Sequence, residues 1–251
     1  MKNKIVACLL VLSMLCVGFM FTGCSETAAE VVEPAFKNSL ALEDYAATLV
    51  VSVKSDNETQ PVDESVTTEV ELSGKKMYVK TGVTGDEKKT SEYYTDGEYV
   101  YSYIGKMGNK KKLTKENALT YADDIAKIFV APDSANLAEL EVVENEDGTK
   151  SVSIAIPDEE LNENFAEIVS ATSVFAAANT TVALYGGKVD VVINEAGYIV
   201  SYKLSCKTDR TWIGQQLVHD VTFDLTFDAP GSEVTVTDLT ARDIKFIELN
   251  K

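Results

Sequence analysis

The alternation of apolar and polar side chains near the end of the chain constrains its fold more than any other feature. From Leu217 to Asp228 every second residue is apolar or aromatic, apart from His219, and acids and threonines fill most positions between them. Because successive side chains of a β-strand point to opposite faces, this pattern predicts a long strand with one buried and one wet face. The stretches 189–193 and 198–206 repeat the pattern and predict further strands of the same kind.

Turn signals separate the predicted strands. Asp96-Gly97 is a strong hairpin signal, because a tight turn needs positive φ at its central residues, and Glu195-Ala196-Gly197 separates two later strands. Strands joined by such short turns pair antiparallel. We expect roughly nine to eleven strands, because alternating runs recur along much of the chain.

Three segments have helical spacing instead. We predict a first helix over 35–47 opened by Pro34, a second over 115–130 with Thr114 as its N-cap, and a third over 157–175. A sheet with one apolar face must cover that face, and these helices are the available cover. The predicted fold class is therefore α+β: a single strongly curved antiparallel sheet, a half or open barrel, wrapped around two or three helices.

The N-terminus predicts a lipoprotein signal peptide. Lys2 and Lys4 precede an apolar run from Ile5 to Phe21, and the Gly23-Cys24 junction resembles the bacterial lipobox. That resemblance implies cleavage before Cys24 and acylation of its sulfur by lipid chains such as palmitate. Two or more acyl chains hold a protein stably on a bilayer, so we expect anchoring to the outer face of the cell membrane. We divide the chain into a signal peptide (1–23), a lipid-anchored tether (24–33) and one domain (34–251).

Composition excludes several classes of protein. The formal net charge is −17, from 40 acidic and 23 basic residues, which argues against nucleic-acid binding and favours a monomer. Cys8 and Cys16 lie in the signal peptide and Cys24 is the lipidation site, so Cys206 has no partner within the mature chain. We therefore expect no intrachain disulfide.

The chain lacks the residue patterns that carry catalysis or metal binding. It has no Gly-x-Ser-x-Gly sequence, and its single histidine, His219, lies on the apolar face of a predicted strand. One histidine without a Cys-x-x-Cys pair does not make a zinc site, and Cys206 fits a small core residue. We predict no enzyme, no metal site and no cofactor.

Tyrosines cluster on one predicted strand. Tyr99, Tyr101 and Tyr103 share a face, because they are spaced two apart. A tyrosine combines an apolar body with a polar tip, which suits the mouth of a ligand groove. A cross-strand aromatic ladder that only stabilises the sheet explains the same pattern, and we favour that explanation.

A run of lysines interrupts the acidic composition. Its members lie close together in the sequence: Lys106, Lys110, Lys111, Lys112 and Lys115. Lysines near an anionic surface each contribute about 1 kcal/mol, so these residues are candidates for contact with the membrane or a lipid headgroup. A solvated loop that neutralises nearby acids is the alternative.

Two stretches resemble a known group of proteins. The sequences SEYYTDGEYVYSYIGK (91–106) and GKVDVVINEAGYIVSYKLS (187–205), with the signal, lipobox and order of elements, resemble the LolA / LppX–LprG type of bacterial lipoprotein and lipid carrier, including small lipoproteins of Gram-positive bacteria. The resemblance covers about residues 34–237. It implies that acyl chains are held between the sheet and the helices.

Two functions of different classes follow. The first is a membrane-anchored extracytoplasmic protein, not an enzyme, that binds or carries a lipid or other amphiphile in an apolar cleft. Its candidate lining residues, which also fit an ordinary core, are Phe129, Phe165, Ile168, Phe175, Val221, Phe223 and Leu225. The alternative is a surface interaction or scaffold protein with a filled core and no ligand, which would expose a contiguous aromatic patch.

Overall fold

The computed structural model describes residues 26–55, 61–86, 89–129, 137, 140–170, 182–212 and 215–249. The predicted signal peptide, Cys24 and Phe175 lie outside these ranges. The strands are β1 (Asp44–Ser55), β2 (Val62–Ser73), β3 (Lys76–Val83), β4 (Thr90–Thr95), β5 (Tyr99–Ile104), β6 (Met107–Lys112), β7 (Val143–Glu144), β8 (Lys150–Ile156), β9 (Leu184–Ile193), β10 (Ile199–Trp212), β11 (Gln215–Asp228) and β12 (Phe246–Glu248). The helices are α1 (Ala28–Leu40), α2 (Tyr121–Ile128) and α3 (Asp158–Ser170), with a short 3-10 turn at Leu239–Ala241.

All twelve strands belong to one curved, open sheet. Their order is β12-β6-β5-β4-β3-β2-β1-β11-β10-β9-β8-β7, and the two end strands, β12 and β7, do not pair with each other. Every pairing is antiparallel except that of β12 with β6. The predicted fold class is confirmed, with one strand more than the upper end of the predicted range.

The main core lies on the concave face of the sheet, beneath the helices. The register of β1 and β11 places Leu49 opposite Leu225, and Val53 opposite Val221, on this face. α1 packs against β10, α3 against β9, and α2 against both β2 and α3. The alternation read from 217–228 therefore separates a helix-covered face from a solvent face.

The first helix begins earlier than we predicted. Thr27 caps α1 through a capping box: the amide of Glu30 donates to Thr27 Oγ1 (3.3 Å), and the amide of Thr27 donates to Glu30 Oε2 (2.9 Å). The amide and the hydroxyl of Thr27 both donate to the Glu30 carboxylate, and these bonds lower the pKa of Glu30. Residues 28–33, which we assigned to the tether, are helical, and Pro34 lies inside the helix with its ring exposed. The predicted helix over 41–47 is wrong, because Asp44 already begins β1.

The second helix begins later than we predicted, at Tyr121 instead of Lys115. The side chain of Asn117 explains the difference: its Oδ1 accepts from the amide of Thr114 (2.7 Å), and its Nδ2 donates to the carbonyl of Lys112 (2.8 Å). Such local bonds offer the backbone an alternative to helix, so residues 113–120 stay irregular. The third helix begins where we expected, and its described part ends at Ser170.

The C-terminal segment 229–249, which we call the strap, crosses the convex face of the sheet. The amide of Thr237 donates to Glu71 Oε2 (2.6 Å), and Leu239 is fully buried against tyrosines of β3 and β4. The strap then adds β12 alongside β6. Ile247 lies in this strand, whereas Val234 lies outside any strand.

Candidate functional site

A cavity opens beside the second half of α1. Its volume is about 470 Å³, and residue 137 closes it from the side opposite the helix. The lining residues are Val32, Glu33, Phe36, Lys37, Leu40, Ala41 and Leu137. Most of this wall is apolar, and Leu40 keeps 51% of its surface exposed at the mouth. Apolar side chains of a helix normally face a neighbour, so this wall suits an apolar ligand.

Phe36 forms the floor of the cavity and belongs to an aromatic cluster. The ring of Phe36 lies 4.7 Å from that of Phe129 and 6.0 Å from that of Tyr202, measured between centroids. Phe129 also lies 5.3 Å from Tyr202. Offset and edge-on aromatic pairs are favourable, and these three rings belong to the main core, so Phe36 joins the cavity to that core. Glu33 and Lys37 are exposed on the helix and supply one acid and one base at the rim.

The predicted cleft residues lie in the main core. Phe129, Phe165, Val221, Phe223 and Leu225 are all nearly or fully buried. The rings of Phe165 and Phe223 pack 5.8 Å apart.

Ile168 is half-buried against the same core, and Phe175 lies outside the described residues. None of these side chains lines the cavity beside α1, although Phe129 supports its floor through Phe36. Their role as walls of a ligand cleft stays a prediction.

The five lysines do not share one surface. Lys106 lies in the turn between β5 and β6, whereas Lys110, Lys111 and Lys112 belong to β6, which we had taken as part of a loop. Register places Lys110 opposite Tyr101 and therefore on the convex face, and alternation places Lys111 on the concave face. Lys115 lies in the irregular segment before α2.

Lys110 is already neutralised. Its Nζ lies 3.0 Å from Glu248 Oε2 and 5.3 Å above the ring of Tyr99. The hydrogen bond that Lys110 donates to Glu248 and the charge of that carboxylate raise the pKa of Lys110. This lysine therefore fastens the strap to the sheet, and membrane contact by the lysine run stays a prediction.

A row of tyrosines crosses the convex face. Tyr78, Tyr94 and Tyr101 lie opposite one another on β3, β4 and β5, and the ring of Tyr101 lies 5.3 Å from that of Phe246 in the strap. Burial, followed by the charge of Asp96, raises the pKa of Tyr101 to about 12. The row has the cross-strand arrangement that we favoured, and the strap covers part of it.

An ion pair holds the strap over this row. Arg242 Nη1 donates to Glu92 Oε2 (2.7 Å), and the hydroxyl of Tyr78 donates to the same oxygen (2.6 Å). Burial and the Glu92 carboxylate raise the pKa of Tyr78. Because Glu92 is largely buried, this contact is less screened than a surface pair.

His219 and Cys206 lie where the sequence predicted, inside the core. Both are at least 95% buried, and burial raises the pKa of the Cys206 thiol to about 12. A thiol held protonated in this way is inert. In the part of the chain that the structure describes, no three acids, cysteines or histidines cluster as metal ligands would.

None of the helices in the described ranges has the length and apolarity that crossing a bilayer requires. No family model and no curated protein matches the chain. Solved structures with a similar fold include the lipoprotein LppX from Mycobacterium tuberculosis, at 12% identity and a TM-score of 0.40, over 84% of this chain and 98% of that one.

Two further solved structures are similar over most of their length. A LolA superfamily protein from Nitrosomonas europaea has 11% identity and a TM-score of 0.28, over 85% of this chain and 95% of that one. A DUF1329 family protein from Desulfovibrio piger has 10% identity and a TM-score of 0.25, over 85% and 98%. The stretches 91–106 and 187–205 resembled the same LolA / LppX–LprG type of lipoprotein.

The cavity was not predicted from the sequence, because the first helix was predicted to begin too late. Phe36 and Leu40 were assigned to a helix, but Val32 was assigned to the tether. The capping-box signal, Thr27 followed three residues later by Glu30, would have found the true start of α1. No sequence signal places Leu137 opposite this helix.

Proposed function

We propose that the chain is a membrane-anchored extracytoplasmic lipoprotein, without catalytic activity, that binds a lipid or similar amphiphile in the cavity beside α1. The apolar cavity of about 470 Å³ is the observation that carries this proposal. Ligand sites in proteins are usually concave, mostly apolar spaces of about 300–1,000 Å³ with few polar groups. Here Glu33 and Lys37 supply the polar groups, at the rim, where the head of an amphiphile would lie.

The position of α1 supports a role at the membrane. Cys24 precedes Ala28 by four positions, a span of at most about 14 Å even when fully extended. The chain enters the domain beside β8, because Lys150 pairs with Glu26. With acyl chains on Cys24, the cavity would lie within a few tens of ångströms of the bilayer, counting 1.5 Å per residue along the helix.

A matched pair of variants tests ligand binding. Leu40→Trp places a large ring at the mouth of the cavity, whereas Val218→Trp makes a comparable change at another exposed position, on the convex face of β11. We expect native mass spectrometry of the full chain, purified from bacterial membranes, to detect bound amphiphile in the unchanged protein and in Val218→Trp. Leu40→Trp should lose it. Equal loading of both variants would contradict the proposed site.

Anchoring has its own test. Cys24→Ser should move the chain from the membrane fraction to the soluble fraction, because lipidation needs the Cys24 thiol. Cys206→Ala is the control, since its thiol is buried and cannot be acylated in the folded protein. A Cys24→Ser variant that remains in the membrane fraction would contradict anchoring through this residue.

The alternative, a scaffold with a filled core, draws support from the packing of Phe165 against Phe223 in the predicted cleft. It also needs an exposed aromatic patch, yet Tyr78 and Tyr94 are buried beneath the strap. Purified protein that carries no amphiphile, and that takes none up when lipid is added, would favour this alternative.

A further inference from the structure

We propose that a second pocket, between the concave face of β4–β6 and the irregular segment 113–120, binds a small organic carboxylate. The pocket has a volume of about 260 Å³, and the ion pair and tyrosine row described above lie on the other face of the sheet. Its lining residues are Tyr93, Val100, Ser102, Asn109, Lys110, Lys111, Asn117, Leu119 and Leu249. None of them lines the cavity beside α1, so the two sites are independent.

Paired residues of β4, β5 and β6 form the floor of this pocket. Tyr93 pairs with Ser102, Ser102 pairs with Asn109, and Val100 pairs with Lys111. Residues paired across antiparallel strands share a face, so all five side chains start from the concave side. The main core ends at Tyr93, whose ring packs 6.0 Å from that of Tyr121.

The segment 113–120 forms a fixed roof. The amide of Leu113 donates to the carbonyl of Glu98 (2.8 Å), which ties the start of the segment to β5. The side chain of Asn117 is used within the turn, through its bonds to Thr114 and Lys112. Leu119 packs against the main core at the other end. One backbone bond and the side chain of Asn117 therefore fix the position of the roof.

The polar side chains that line this pocket include the Ser102 hydroxyl and the Asn109 amide, which donate or accept, and the Lys111 ammonium, which only donates. Among the described residues, the side chains of Ser102, Asn109 and Lys111 make no hydrogen bond or ion pair with protein groups. The carbonyl of Lys110, an acceptor at the edge, is occupied by the amide of Leu249 (3.0 Å). A hydroxyl, an amide and an ammonium group together favour an anion, since charge-assisted bonds are the stronger ones.

The apolar walls decide which anion fits. Tyr93, Val100, Leu119 and Leu249 surround the polar floor, so a ligand with an apolar body gains more than a bare inorganic ion. Lys111 lies at this pocket, and among the described residues it has no acidic partner. Lys110 next to it is neutralised by Glu248, whereas Lys111 is left for a ligand.

Calorimetry with small probes tests this proposal on the full chain in lipid nanodiscs, with empty nanodiscs as the blank. We expect hexanoate to bind about tenfold more tightly than hexanol, which lacks the charge, and inorganic phosphate to give no binding heat, because it lacks an apolar body. Lys111→Gln should weaken hexanoate binding about tenfold. Lys112→Gln, on the other face of β6, should leave it unchanged.

A second variant guards against an indirect effect of the lost charge. Ser102→Leu fills the floor with an apolar side chain and should abolish hexanoate binding. Leu40→Trp, in the cavity beside α1, should not alter it, so failure of this pocket and failure of the proposed function can be told apart. Equal binding of hexanoate and hexanol, tight binding of phosphate, or equal effects of Lys111→Gln and Lys112→Gln would each overturn the proposal.

Discussion

The helix-covered region of the sheet (β1 and β8–β11) and the strap-covered region (β2–β6 and β12) bury their side chains in different ways. In the first region, Phe223 and Leu225 are fully buried on the concave face, and Asp224 between them reaches solvent. In the second, the adjacent residues Tyr78 and Val79 are both buried, because the main core covers one face and the strap covers the other.

The difference shows how helices on one face and the strap on the other stabilise the same sheet in different ways. Helices α1 to α3 bring aliphatic and aromatic side chains onto the concave face, and hydrophobic burial is the main term there. The strap brings few apolar residues and relies on Leu239, Phe246 and the Arg242–Glu92 pair. Its contacts join positions as far as 166 residues apart, so closing them carries a loop-closure cost in entropy.

The largest expected effect lies in the helix-covered region. Phe223→Ala removes a fully buried ring that packs against Phe165, and should lower the free energy of unfolding by about 3–5 kcal/mol. Urea denaturation measures it. Thr222→Ala, one position away and half-buried on the convex face, should cost less than about 1 kcal/mol. Similar losses for both variants would break the contrast between the two faces of β11.

Leu239→Ala tests whether the strap is an independent unit. Removing this buried side chain should cost about 2–4 kcal/mol, but the loss should be confined to the strap-covered region. Hydrogen exchange at neutral pH should accelerate in β4–β6 and remain slow in β10 and β11. Uniform acceleration over the whole sheet would show instead that the two regions unfold together.

Gly108→Ala tests how closely the strap approaches β6. A β-carbon at this position would lie 2.7 Å from Cγ2 of Ile244 and 3.0 Å from the carbonyl oxygen of Lys245. The crowding should cost about 1–3 kcal/mol and loosen β12, with exchange of its amides as the measurement. Adding Ile244→Ala removes the nearer atom and should recover part of the loss; no recovery would rule out this contact as the cause.

Alkaline pH should weaken the strap-covered region through its tyrosines. Burial raises the pKa of Tyr101 to about 12, whereas a tyrosine in the unfolded chain titrates near 10. The folded state therefore holds a proton that the unfolded state has lost, and this stabilisation, complete below about pH 10, is lost as the pH rises towards 12.

Near-ultraviolet circular dichroism and tyrosinate absorbance should follow this loss. Tyr101→Phe, which cannot ionise, should make stability less dependent on pH in this window. Burial also raises the pKa of Cys206 to about 12 in the helix-covered region, so Cys206→Ala is the control for that contribution. An unchanged pH profile in Tyr101→Phe would exclude this tyrosine as the source.

The smallest effect is expected for an exposed ion pair. Lys80 and Glu69 lie 3.2 Å apart on neighbouring strands, with more than 40% of each side chain exposed. Lys80→Gln should change the free energy of unfolding by less than about 0.5 kcal/mol. A larger loss by urea denaturation would show that surface charges, and not only the strap, stabilise this region.

Patterns of neighbouring residues in the sequence predicted the strands and turns that such local residues determine. The alternation of 217–228 matches β11, and Asp96-Gly97 forms the turn of the β4–β5 hairpin, where Asp96 Oδ1 accepts from the amides of Glu98 and Tyr99 at 2.8 Å. The strap could not be predicted in the same way. Its binding depends on Glu71 and Glu92, which are distant in sequence and look like ordinary solvent-facing acids.

The candidate site was harder to predict than the fold. An apolar residue shows the same sequence pattern whether it packs on another side chain or on a ligand. The rings of Phe165 in α3 and Phe223 in β11 pack against each other, and their role in a ligand cleft stays a prediction. The cavity depends instead on where α1 ends and on Leu137 opposite it. The distance between α1 and Leu137 is set by tertiary packing, which no periodicity in the sequence encodes.

The two ends of the sheet are very short, with three residues in β12 and two in β7. Long, flat edge strands with unpaired backbone N–H and C=O groups pair with strands of other molecules and start fibrils. Copies of this chain at high concentration would meet through edges too brief to template such growth, while their net negative charge pushes them apart. A concentrated solution of the protein should therefore stay free of fibrils.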